Sequence, residues 1–150
     1  MKKHLGKTNA KKYSLRTLDD TTALAKELAA TLRGGDVVGL VGELGTGKTN
    51  FVQALAKTLG VKQAVKSPTF TILQLYQTAK PYDFSLCHVD AYRLRGAEDL
   101  SAVGLADYIG DPNTVVIIEW ADTIKKALPK TTRWLTFSFT ATKRTVTLSL

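Results

Sequence analysis

A lysine and a threonine stand directly behind a glycine at Gly47-Lys48-Thr49, with Gly42 opening the same stretch. Gly42-Glu43-Leu44-Gly45-Thr46-Gly47-Lys48-Thr49 thereby fills every fixed position of the pattern G-x-x-x-x-G-K-[ST]. This spacing suits polyphosphate chemistry. Glycines let the backbone curl so that successive N–H groups point inward, and a helix starting at the loop adds its positive dipole end. Lys48 is then placed to reach the β- and γ-phosphates, and the Thr49 hydroxyl to ligate magnesium. Glu43, Leu44, Gly45, Thr46, Gly47, Lys48, Thr49 and Asn50 are the expected nucleotide contacts, with the Asn50 amide able to donate to the α-phosphate. A glycine-rich turn with a chance lysine is the competing reading. The context disfavours it, because an apolar run, 36–41, precedes the motif, and Phe51, Val52, Leu55, Ala56 and Leu59 recur at helical spacing after it.

Nucleotide hydrolysis also needs an acid near the metal and the attacking water. Glu119 follows Val115-Val116-Ile117-Ile118, an apolar run closed by a carboxylate, and Asp90 follows Leu86-Cys87-His88-Val89 in a weaker version of that pattern. Acids at the carboxyl ends of parallel strands favour the ligand crevice, so Lys48, Asp90 and Glu119 are the catalytic candidates, and Thr49 and Glu119 the metal candidates; a strand-end charge exposed to water is the alternative for each acid, more so for Asp90 than for Glu119. Ser67-Pro68-Thr69 lies in the loop after the first motif's helix, where Ser67 or Thr69 would sense the γ-phosphate or the metal; a plain loop turned by proline is an equal alternative. Trp120, next to Glu119, is either a strand-end aromatic of the core rim or a partner-facing or nucleotide-side residue. His88 and Asp90 share a strand face, whereas Cys87 and His88 point to opposite faces, so a Cys–His nucleophile is disfavoured and His88 reads as a structural, hydrogen-bonded histidine. Two histidines and one cysteine leave zinc almost without ligands.

These groups need a scaffold that brings strand ends to one edge. Tyr13-Ser14-Leu15-Arg16 suggests an edge strand. Thr17 and Asp20 suggest the capping pair of a helix that carries Leu24, Ala25, Leu28, Ala29 and Leu32 on one face and stops at Gly34-Gly35. Residues 70–76 alternate as a strand, and residues 86–90 form a second strand after a Lys80-Pro81 turn, which implies an antiparallel excursion. A short helix is expected over 97–108, weakened or ended by Gly104. The run 115–118 has the composition of a strand buried on both faces. Residues 134–139 and 145–150 read as a C-terminal hairpin. The expected fold class is α/β, a P-loop NTPase-like mixed central sheet flanked by helices, with antiparallel strands, a C-terminal hairpin and the phosphate-loop strand near its middle.

The 150 residues, 44% of them apolar, suffice for one domain and are too few for two. The expected division is a basic, mobile tail over 1–12 and a single P-loop ATPase domain over 13–150. Net charge is +8, and Lys2, Lys3, Lys7, Lys11 and Lys12 crowd the tail; attraction to RNA or an acidic partner is the alternative to a merely solvated segment. No stretch has the length of a membrane span and the first residues lack a signal-peptide core. A lone Cys87 has no disulfide partner in the chain, so a cytoplasmic protein with no membrane association is expected.

The phosphate loop, then Ser67-Pro68-Thr69-Phe70-Thr71, then His88-Val89-Asp90-Ala91-Tyr92-Arg93-Leu94, then Ile118-Glu119-Trp120, in this order and length, resembles the bacterial TsaE (YjeE) family over about residues 17–135. The resemblance implies a small ATPase that binds and hydrolyses Mg-ATP. Its implied partners are TsaD and TsaB, which transfer a threonylcarbamoyl group to tRNA after TsaC makes the activated intermediate, so that tRNA is met through the complex. It also implies magnesium at Thr49 and Glu119, phosphate at Lys48, and activity-related roles for Asp90 and Trp120. Three departures stand out: Thr46 where alanine is usual, Asn50 where a second hydroxyl is usual, and Ala121-Asp122 where Pro-Glu commonly follows the tryptophan. None removes the lysine, the hydroxyl or the acid. The residues by themselves leave adenine against guanine open, since N-K-x-D is absent and no equally firm adenine motif replaces it; Leu18, ahead of the first long helix, is the candidate base contact. Two other functions compete: a small-molecule or nucleoside kinase, for which Arg93 and Arg95 make a poor lid, and a nucleotide-dependent RNA-binding module, suggested by the charge.

Overall fold

The computed structural model describes residues 10–149. Seven strands form one sheet in the order β1-β7-β6-β2-β5-β4-β3, with β2 (Val37–Val41) in the central place. β2 runs parallel to β5 (Thr114–Glu119) and to β6 (Arg133–Phe139), and β4 (Ser85–Asp90) runs parallel to β5. The sheet becomes antiparallel at both edges, where β3 (Leu73–Gln77) joins β4 and where β7 (Arg144–Ser149) joins β6 and β1 (Lys11–Ser14). This is the mixed sheet with antiparallel strands and a C-terminal hairpin that the sequence pattern implies.

Helices cover the two faces separately. Helices α1 (Leu18–Ala29) and α2 (Lys48–Thr58) pack with Val38, Leu40, Ile117 and Leu135 on one face, while α3 (Ala97–Ala102) and the short 3-10 turns Leu105–Asp107 and Ala121–Ala127 pack with Cys87, Val89, Val116 and Ile118 on the other. α1 begins at the expected capping box: the Asp20 N–H donates to Thr17 Oγ1 at 3.2 Å and the Thr17 N–H to Asp20 Oδ2 at 3.0 Å, satisfying two N–H groups that the helix start leaves over. β2 accepts a close neighbour at Gly39, where an added Cβ would lie 2.7 Å from the Trp134 ring, so the β2–β6 packing requires glycine there.

Three expectations shift. The first strand is Lys11–Ser14 rather than 13–16, because its register follows β7, with Tyr13 opposite Val146. Lys11 and Lys12, placed in the basic tail by composition, therefore belong to the sheet edge, and residues 1–9 of that tail lie outside the described residues. β3 begins at Leu73, not at Phe70: the Ile72 N–H donates to Pro68 O at 2.6 Å and Ile72 has φ 65°, so residues 68–72 close into a turn that leaves Phe70 89% exposed. The helix expected over 97–108 is divided at Gly104, whose φ of 81° ends α3 and starts the 3-10 turn. Among the described residues no helix is long and apolar enough to cross a membrane.

Candidate functional site

The phosphate loop emerges from the central strand β2 and turns into α2 at Gly47, whose φ of 102° is a left-handed conformation natural to glycine. No side chain caps α2, so its first N–H groups face the cleft. Thr46, one of the departures from the family pattern, is buried and donates to Glu43 O at 2.7 Å, closing the loop on itself. Lys48, the first residue of α2, is 6% exposed. Its Nζ donates to Gly42 O and, at 3.2 Å, to Glu43 O, and sits 3.7 Å from the centre of the Trp120 ring. Burial pushes the Lys48 ammonium below its ordinary pKa, against the fields of Glu119, Asp122 and Asp90, which raise it. None of the ion pairs among the described residues involves Lys48. A buried cation with only carbonyl and aromatic partners is a costly arrangement that an anion in the cleft relieves, so the residues present fit a polyphosphate.

The acids come from the strands beside β2. Register sets Asp90 directly opposite Glu119 at the carboxyl ends of β4 and β5, both buried. Glu119 Oε1 accepts from the Thr49 hydroxyl at 2.9 Å and Oε2 lies 2.6 Å from His88 Nε2. Asp90 Oδ1 accepts the Tyr92 N–H at 3.0 Å, and Oδ2 accepts the Thr69 hydroxyl at 3.3 Å, with Ser67 Oγ 2.9 Å from Thr69 Oγ1. The two loop hydroxyls, the two acids, Lys48, Thr49 and Trp120 thus line one cleft of about 290 Å³ together with Leu44, Gly45 and Asn50. Hydroxyl and carboxylate oxygens are a hard donor set. Groups of three or more His, Cys, Asp or Glu side chains that could hold a metal are absent among the described residues. That combination suits magnesium, which takes one or two protein oxygens and completes its shell with phosphate and water, rather than a caged metal.

Trp120 leaves β5 with φ 58° and is half-buried, its ring set edge-on to Tyr92 at 5.2 Å and over Lys48. It is therefore part of the cleft wall, not of the core alone. Leu18, 74% exposed, lines a second cavity of about 400 Å³ with Arg16, Thr17, Thr46 and the hairpin residues 141–144. Gly47, Asn50 and Arg144 border both spaces, which places a recess of mixed polar and apolar lining beside the phosphate loop. Glu43 is exposed on the loop, reaching inward only through its carbonyl.

Sequence reasoning assigned no role at this site to His88, Tyr92 or Arg144. Two-residue spacing from Asp90 on a strand was the available signal for His88. Arg144 had none, since only the fold of the β6–β7 hairpin brings it to the loop.

A family model described as "Threonylcarbamoyl adenosine biosynthesis protein TsaE" matches residues 15–146. The chain is 41% identical over 113 residues to the tRNA threonylcarbamoyladenosine biosynthesis protein TsaE of Bacillus subtilis, covering 75% of this chain and 67% of that one. It is 40% identical over 114 residues to the Aquifex aeolicus protein of the same name, covering 75% and 77%. The crystal structure of Bacillus subtilis YdiB superposes with a TM-score of 0.78 at 30% identity, over 95% of this chain and 86% of that one.

Proposed function

The chain belongs to the TsaE family of tRNA threonylcarbamoyladenosine biosynthesis proteins, and from that premise we propose that it is a magnesium-dependent P-loop ATPase of the cytoplasm, acting with TsaD and TsaB. The observation that carries the enzymatic reading is Lys48: a buried ammonium without a carboxylate partner among the described residues, facing a cleft that Glu119 and Asp90 close from the other side.

In this reading the N–H groups at the start of α2 and Lys48 hold the β- and γ-phosphates, and Asn50 donates to the α-phosphate. The base rests in the recess beside Leu18. Thr49 and Glu119 would hold magnesium, which would supply neutralisation of the charge that develops on the phosphates. The Thr49 hydroxyl donates to Glu119 Oε1 at 2.9 Å, so the two oxygens that would share the metal already stand side by side. Glu119 orients the attacking water and accepts its proton as the γ-phosphoryl group is transferred. Asp90 anchors the 67–72 turn through Thr69, linking occupancy of the γ-phosphate position to that loop. Trp120, which roofs Lys48, moves when a nucleotide takes the lysine, and so reports the site to a partner.

Multi-turnover threonylcarbamoylation of tRNA, reconstituted with TsaB, TsaC, TsaD and this protein, tests the assignment. The expected result is modification that stops after few turnovers when this protein or ATP hydrolysis is withheld. Full modification with the protein omitted would overturn it. Phosphate transfer to a nucleoside acceptor would favour a kinase, and steep salt-dependent RNA affinity of the isolated protein an RNA-binding module.

A further inference from the structure

His88 is fully buried, and its one polar partner among the described residues is Glu119. On β4 it faces the same side as Asp90, and its strand neighbours Gln74 and Ile117 offer its ring no hydrogen bond. Nε2 lies 2.6 Å from Glu119 Oε2, whereas Nδ1 is buried without a partner. These two facts select the tautomer. A proton on Nδ1 would strand a buried N–H and set the Nε2 lone pair against a carboxylate oxygen; a proton on Nε2 makes a charge-assisted bond and leaves only a bare lone pair unmet.

The consequence falls on Glu119. Its two oxygens have different neighbours: Oε2 meets His88, which is immobile inside the sheet, and Oε1 meets Thr49, whose hydroxyl is partly exposed and can rotate. We propose that His88 is the positioning residue of this site. Its Nε2–H ties down Oε2 and reserves Oε1 for the magnesium shell and the attacking water. The glutamate side chain has three rotatable torsions; with Oε2 fixed it cannot swing toward Lys48 and neutralise the phosphate lysine. This inference rests on the ATPase reading, and it concerns a contact which that reading does not require.

Gln and Asn separate the two ring positions. In His88→Gln the amide N–H reaches about where Nε2 stood, while in His88→Asn the shorter amide stops near Nδ1. Calorimetry of ADP with and without magnesium is the first readout. His88→Gln is expected to keep the wild-type gain in affinity from magnesium, and His88→Asn to lose it by about ten- to a hundredfold, the usual effect of removing a group that orients a metal ligand, with magnesium-free affinity unchanged. ATP turnover should follow the same order in kcat, with little change in KM. The second readout is the two-bond 1H–15N spectrum of the wild-type protein, which distinguishes the tautomers; the chain has two histidines, and His88→Gln assigns the resonance. An Nε2–H pattern is expected. An Nδ1–H pattern would overturn the proposal even if His88→Asn failed to fold. A His88→Asn protein with the full magnesium gain would overturn it alone, while a wild-type protein that gained nothing from magnesium would overturn the ATPase reading and the proposal with it.

Discussion

Strands β4 and β5 are buried on both faces from Leu86 to Asp90 and from Thr114 to Glu119, yet the two faces have opposite chemistry. Toward α1 and α2 they present His88, Asp90, Ile117 and Glu119; toward α3 and the 3-10 turns they present Cys87, Val89, Val116 and Ile118. On the first face the two carboxylates and His88 Nε2 find partners and only His88 Nδ1 does not; on the second, burial alone pushes the Cys87 thiol up to about 12. Equal burial therefore does not decide which face reacts. What differs is the neighbour: α2 starts at the strand ends with its N–H groups and Lys48, so carboxylates there are compensated, whereas Cys87, Val89, Val116 and Ile118 pack in an apolar cluster with α3 and the 3-10 turns.

The sharpest way to break this contrast is to remove the cation. Lys48→Ala should weaken nucleotide affinity at least a hundredfold, about 2.7 kcal/mol, without lowering the unfolding temperature, because it deletes a desolvated charge and few core contacts; calorimetry and thermal unfolding check both halves. Trp120→Ala should keep ATP affinity within about tenfold, ~1.4 kcal/mol, yet lose support of threonylcarbamoyl transfer in the reconstituted system. Full transfer with that variant would return Trp120 to a purely structural role. Asp90→Asn should reduce turnover about tenfold, less than a change at Glu119, since Asp90 bonds the 67–72 turn and the Tyr92 N–H rather than Thr49. The smallest effect belongs to the opposite face. Cys87→Ser should cost about 1–3 kcal/mol of stability by burying an unpartnered hydroxyl while leaving ATP turnover unchanged, and the native thiol should resist alkylation until the protein unfolds.

The parts of this contrast legible in the sequence are those written in short spacings. The phosphate loop, the capping box at Thr17 and Asp20, and the acids closing two apolar runs are local patterns, and each stands in the element its pattern implies. The Glu119–His88 bond spans 31 residues and depends on the parallel register of β4 on β5, which no local pattern encodes. The same limit explains the 67–72 turn. Alternation from Phe70 implies a strand, but Ile72 is held at φ 65° by a turn bond from its N–H to Pro68 O and by a tertiary bond that its carbonyl accepts from the Asp90 N–H, and tertiary context overrides β propensity. Arg144 and Leu18 meet the loop only because β6 and β7 fold back beside α1.

In the proposed function, ATP hydrolysis falls to the polar face of β4 and β5 joined to the phosphate loop. Glu119→Gln tests it most directly, because the amide keeps the size of the side chain and the hydrogen bond of Thr49 while losing the base and the charge. With TsaD and TsaB present over a magnesium titration, ATP binding is expected within about tenfold of wild type and turnover reduced about 10² to 10⁴-fold. Turnover at the wild-type rate would contradict it.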